Sequence, residues 1–190
     1  MKDRSAGFTL IELMVVVVVM TIAAAIALPN FRTMIINHQS QGLAEDVIGA
    51  IQFTRSEAVK RGEFVSLCAS NADQSACGSD WSNGMLAVTD IAKENGAAVT
   101  VGEILKIWEG FSPSASISVE RGSAGSLSAT SFLRYAPGGM MAQISNNDTE
   151  IRFEVYVDEC DGPMQRNIRV TRAGMVSAER VQCPGGGSGG

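Results

Sequence analysis

The chain has 190 residues, 45% of them hydrophobic, which suffices for one domain with a real core plus a tail or an anchor. Its formal net charge is −5, from 20 acidic and 15 basic side chains, which excludes a general electrostatic pull toward nucleic acid or anionic lipid. A single histidine and four cysteines leave little material for acid–base or metal chemistry.

The first six residues form a polar leader with Lys2, Asp3 and Arg4, followed by Gly7. Residues 8–28 then hold one ionisable side chain, Glu12. As a helix rising about 1.5 Å per residue, that run spans roughly 30 Å, the thickness of a bilayer's hydrocarbon core. A carboxylate inside such a span costs on the order of 2.5–3.5 kcal/mol, so Glu12 marks a function. A secretory signal peptide would carry its small-residue cleavage site after the apolar region, whereas here the candidate lies before it. Lys2 and Arg4 on one side against Arg32 on the other give only a thin positive-inside signal.

Pro29 ends the apolar run and is expected to kink the helix, since it lacks a backbone donor. Beyond it, Leu43, Val47, Ile51, Thr54 and Ala58 recur at three- and four-residue steps with Ala50 beside them. Gln41, Glu45, Asp46, Gln52, Arg55 and Glu57 lie between. The pattern predicts that an amphipathic helix, part of a segment 29–62, docks one face on a globular domain and stops at Gly62 after Arg61. From Glu63 the period changes, and strands are expected at 64–69, 84–89, 104–108, 115–119, 131–135 and 151–157. A last hairpin reads 167–172, a turn at Ala173-Gly174, and 175–181. Residues 122–130, rich in Ser, Gly and Ala, read as a flexible loop. The domain is expected to occupy 63–183, followed by a disordered Gly/Ser tail, 184–190.

Cys68, Cys77, Cys160 and Cys183 allow three pairings. Order along the chain favours Cys68–Cys77 and Cys160–Cys183, each closing a local loop. With one histidine and no Cys-x-x-Cys pair, disulfides are preferred to a zinc site.

Gly7-Phe8-Thr9-Leu10-Ile11-Glu12 and the apolar helix after it resemble the signal of type IV prepilins and type II secretion pseudopilins. The resemblance implies removal of leader 1–7 by a prepilin peptidase cutting between Gly7 and Phe8, and N-methylation of Phe8. It also implies that Glu12 sets register by pairing with the N-terminal amine of a neighbouring subunit. Leu43-Ala44, Ala50 and Thr54-Arg55-Ser56-Glu57-Ala58-Val59 look like the helix signature of the GspH/FimT (FimU-like) branch. Val65-Ser66-Leu67-Cys68, Asp80-Trp81 with Gly84, Asp90 with Asn95-Gly96, and Phe132 to Tyr135 with Pro137-Gly138-Gly139 are similar to its later blocks. The implied fold is α+β and type IV pilin-like: a long N-terminal helix packed on antiparallel β-sheet. The implied partners are a major pilin, other minor pilins, the peptidase, an inner-membrane assembly platform and, before assembly, the membrane itself. The implied location is the bacterial inner membrane, with the domain periplasmic, and then the extracellular pilus.

Nothing in the residues points to an enzyme, a cofactor or a metal. His38 sits in a polar surface segment, no nucleophile elbow or phosphate loop is present, and Asp158, Glu159 and Asp161 lack the spacing of a calcium loop. Members of the branch that bind DNA resemble one another in a Gly-Arg-x-Arg turn; the matching Gly174-Met175-Val176-Ser177 has no arginine. Arg166, Arg169, Arg172 and Arg180 are the candidate nucleic-acid contacts, yet 169 and 172 alternate to opposite faces of a strand, while a phosphate track needs cations on one surface. The sequence therefore reads as a minor pilin acting in pilus assembly and priming near the tip. A type II secretion pseudopilin and a DNA-binding pilin for natural transformation stay as alternatives.

Overall fold

The computed structural model describes residues 9–92, 97–123, 125–142 and 147–184, with backbone only at 26–30. Leader 1–7, the Gly7–Phe8 bond, Asn95-Gly96 and tail residues 185–190 lie outside the described residues. Helix α1, Leu10–Arg61, runs as one element through Pro29. Thr9 caps its start, and at its end Gly62 takes the left-handed conformation (φ 66°) and donates its N–H to the Ala58 carbonyl. Leu43, Val47, Ala50, Ile51, Thr54 and Ala58 are buried, as the apolar periodicity predicts. Thr54 is tolerated there because its hydroxyl donates to the Ala50 carbonyl at 2.7 Å. Glu57 departs from the expected solvated face: it is buried, with Lys60 at 3.2 Å and Arg61 at 2.8 Å on its two carboxylate oxygens.

Among the described residues nine strands follow: β1 Val65–Ala69, β2 Met85–Asp90, β3 Val101–Trp108, β4 Ala115–Ser123, β5 Ser126–Ala129, β6 Phe132–Tyr135, β7 Glu150–Val157, β8 Gln165–Thr171 and β9 Val176–Val181. They form two antiparallel sheets, ordered β3-β2-β1-β6 and β5-β4-β7-β8-β9. One core joins both sheets to α1, with Val47 and Ile51 from the helix, Leu67 and Leu133 from the first sheet, and Phe153 and Ile168 from the second. Strand β7 shows the clearest alternation, burying Ile151, Phe153, Val155 and Val157. A 3-10 turn, Trp81–Asn83, links the sheets. Its Trp81 indole donates to the Thr130 carbonyl at 3.1 Å and meets the Phe153 ring edge-on at 5.4 Å.

The expected loop at 122–130 is instead the end of one strand and the whole of the next. Ser, Leu and Ala side chains carry no strand signal, but Glu120, Arg121, Gly122 and Ser123 pair in register with Ala129, Ser128, Leu127 and Ser126. Backbone ladder bonds, not side-chain burial, define this hairpin. Disulfides join Cys68 to Cys77 and Cys160 to Cys183, with Cα–Cα distances of 5.6 and 6.0 Å. Among the described residues no group of three or more His, Cys, Asp or Glu side chains is placed to hold a metal ion.

Candidate functional site

Among the described residues, the side chains of the first half of α1 are exposed. Leu10, Ile11, Leu13, Met14, the valines from 15 to 19, Met20 and Ile22 are all exposed, as are Phe31, Met34 and Ile35 further along. A helix that is apolar all round and uncovered is built to be buried in something else. Among the described residues no helical stretch is long and apolar enough to cross a membrane. The described side chains of the run end at Ala25, and the sequence carries it on to Leu28.

Glu12 occupies the third position of this helix and closes a capping box with Thr9. The Glu12 N–H donates to Thr9 Oγ1, while Glu12 Oε2 accepts from the Thr9 N–H and hydroxyl, each at 3.3 Å. The helix N-terminus carries partial positive charge, so a carboxylate here is electrostatically favoured. These are long contacts made by an exposed group, and they leave Glu12 free to take a stronger cationic partner. His38 is exposed on the same helix.

The four candidate arginines do not form one surface. Arg172 lies in the turn after β8, not on a strand as the sequence suggests. Arg169 opposes Arg152 across β7 and β8, and both guanidiniums pair with Glu150 at 3.0 Å. Arg166 opposes Arg180 across β8 and β9, and both donate to Asn37 Oδ1 on α1, at 3.0 and 3.3 Å. Arg166 is buried; loss of solvent, and then the Arg180 charge, hold its guanidinium below its ordinary pKa.

Two further arginines explain motifs that the sequence could mark but not interpret. Arg55, in the Thr54-to-Val59 run, donates to the Gly139 carbonyl at 2.9 Å and to the Ala173 carbonyl at 3.1 Å. It ties the Pro137-Gly138-Gly139 turn and the β8–β9 turn to the helix. Gly174 packs against this clamp at φ +77°, where a Cβ would run into the Gly139 carbonyl and the Arg55 guanidinium. Near it, burial pushes the Tyr135 phenol well above its ordinary pKa despite the Arg55 charge. Arg134, only 1% exposed, bridges to Asp90 with 2.7 and 2.6 Å contacts and donates to the Ala97 carbonyl at 3.1 Å. Asp90 also accepts from the Ser66 hydroxyl and from the N–H groups of Ala92 and Thr100. Sequence separation of 44 residues hides this pair from any local pattern.

Comparison with known proteins places these features. The family model described as type II transport protein GspH matches residues 43–174, and the prokaryotic N-terminal methylation motif matches residues 2–28. None of the curated proteins matches the chain. Two crystal forms of the type IV minor pilin FimU of Pseudomonas aeruginosa share its fold. One gives a TM-score of 0.54 at 20% identity, over 75% of this chain and 89% of FimU. The other gives 0.52 at 20% identity, over 73% and 91%. The GspH model takes in α1 from Leu43 onward and strands β1 to β8, more than half of the molecule, and the chain belongs to the GspH family of minor pilins and pseudopilins.

Proposed function

We propose that the chain is a minor pilin, a structural subunit of a type IV pilus that acts in priming and assembly near its tip. The observation that carries this is the uncovered apolar helix with one carboxylate, Glu12, at its start. Residues 8–28 anchor the precursor in the inner membrane with the β-rich domain, 63–183, in the periplasm. Peptidase cleavage after Gly7 frees the Phe8 amine, which is methylated, and the same helix then enters the filament core. Glu12 pairs there with the Phe8 amine of a neighbouring subunit. The uniform run of valines from 15 to 19 cannot fix register by packing alone, because a slip of one turn presents the same surface. A buried charge pair can. As a structural subunit the chain needs no cofactor.

A pseudopilus of type II secretion is the second reading, supported by the match to the type II transport protein GspH family. DNA binding has less support, since Arg169 is paired with Glu150, and Glu45 and Glu179 border the Arg166–Arg180 pair where a polyanion would have to lie. The test is Glu12→Ala in the source bacterium. Breaking a buried ion pair costs about 3–5 kcal/mol, so the variant should reach normal levels in the membrane yet fall at least roughly tenfold in sheared fibres. Entry into fibres at the wild-type ratio would overturn the role of Glu12.

A further inference from the structure

The two cross-strand arginine pairs are treated differently by the fold. Like charges directly opposite on neighbouring strands destabilise a sheet. At Arg152 and Arg169 the repulsion is met by Glu150, which gives one carboxylate oxygen to each. At Arg166 and Arg180 every acceptor is neutral: Asn37 Oδ1 for both, the Met164 and Gln165 carbonyls for Arg166, and the Pro163 carbonyl for Arg180. Among the described residues neither guanidinium has a carboxylate partner. Arg166 is nevertheless 92% buried, being 8% exposed. A buried cation held beside a second one, on a neutral oxygen, is an incomplete site.

The pair opens on a recess of about 320 Å³ at the seam of α1 and the second sheet, bordered by Asn37, Gln41, Glu45 and Ile48. Glu45 is held by Gln41 at 2.9 Å and reaches neither arginine. Two guanidiniums converging on one point match the two oxygens of a carboxylate. Acidic Glu45 and Glu179 on the border repel a polyanion such as DNA more strongly than they repel a single carboxylate. Asn37 lies nine residues beyond Leu28, about 13 Å along the helix, while the headgroup layer is only about 5–8 Å deep. Lipid phosphate is therefore out of reach of an upright helix. Just before the recess, Phe31, Met34 and Ile35 expose apolar side chains, so the recess continues the uncovered apolar surface of α1.

We propose that Arg166 and Arg180, seated on Asn37, receive one Asp or Glu side chain from an adjacent pilin subunit. This rests on the filament-subunit reading and extends it: the incoming carboxylate completes a second intersubunit charge contact, at the junction of helix and domain, and completes the sheet's unsettled arginine pair.

The test uses the full chain in fibres, with photo-reactive benzoylphenylalanine in place of Gln41 and mass spectrometry of the cross-linked product. The expected product joins position 41 to another subunit's peptide containing an Asp or Glu. Arg180→Glu should lower incorporation about tenfold or more, Arg180→Lys should retain most of it, and reversing the identified carboxylate to Arg should restore Arg180→Glu. Membrane abundance and protease resistance control for folding; if Arg180→Glu fails them, Arg180→Gln replaces it. Cross-links to phospholipid or DNA alone, or wild-type incorporation of the folded charge variant, would overturn the proposal. If the unsubstituted chain is missing from fibres, the subunit reading falls as well; if it is present and the charge variant equals it, only this inference falls.

Discussion

Replacing Arg134 with Met largely keeps volume and apolar contact but removes, among the described residues, the cation bonded to Asp90. The Asp90 side chain is fully buried, so the carboxylate would stay in the core with the Ser66 hydroxyl and two backbone N–H groups as its neutral donors. Stripping one partner from a buried ion pair costs about 3–5 kcal/mol. For a domain of this size each kcal/mol moves the melting temperature by roughly 2–4 °C, so Arg134→Met should melt roughly 6–20 °C lower. Calorimetry on the detergent-solubilised chain measures this. Most of the cost is the orphaned charge, so the same change in an Asp90→Asn background should cost about 1–3 kcal/mol less, because Asn still accepts from Ala92 and Thr100. A cost below about 1 kcal/mol, or one unchanged by Asp90→Asn, would mean that the Arg134–Asp90 pair does not hold the core.

The Cys160–Cys183 bridge closes 23 residues and Cys68–Cys77 closes 9, so chain entropy alone assigns them about 3.4 and 2.6 kcal/mol. Calorimetry of each double Cys→Ala variant should show losses of that order. Gly174→Ala meets both a left-handed backbone and the Gly139 carbonyl, whereas Gly162→Ala, at φ +64° with open space around it, meets only the first. Urea unfolding should show about 1–2 kcal/mol lost at Gly162 and clearly more at Gly174. The Glu57 carboxyl is held below its ordinary value of 4.5, first by the Arg61 hydrogen bond and then by that of Lys60. A carboxylate depressed in the folded state stabilises above its unfolded pKa and loses that contribution as pH falls through the folded one. Melting temperature should therefore hold from pH 7 to about 5 and decline below about 4.5, with Glu57→Gln removing part of the decline.

Periodicity was legible wherever one face is buried and the other wet. Leu43, Val47 and Ile51 announce the docking face of α1, Gly62 its end, and residues 151 to 157 a half-buried strand. Strand β5 was not legible, since Ser126, Leu127, Ser128 and Ala129 are mostly exposed and are held by backbone pairing alone. The division into two sheets was also hidden, because it depends on which strands meet across long connections: β1 pairs with β6, and β4 with β7. Glu12 announced itself as the one charge in an apolar run. Arg55 and Asp90 stood inside recognisable motifs, but their partners lie far along the chain, 84 residues away for Arg55–Gly139 and 44 for Asp90–Arg134. The meeting of Arg166 with Asn37, 129 residues apart, gives no local signal at all.

The central claim is that this chain is processed before Phe8 and carried into a surface filament. Mass spectrometry of sheared fibres from the source bacterium tests it most directly, with the peptide beginning at Phe8 as the target. This peptide should appear N-methylated in the fibre fraction, far less abundant than the major subunit. Methylated Phe8 confined to the membrane fraction would move the assignment to the secretion pseudopilus. An uncleaved start at Met1 in both fractions would mean a plain membrane anchor and no filament subunit.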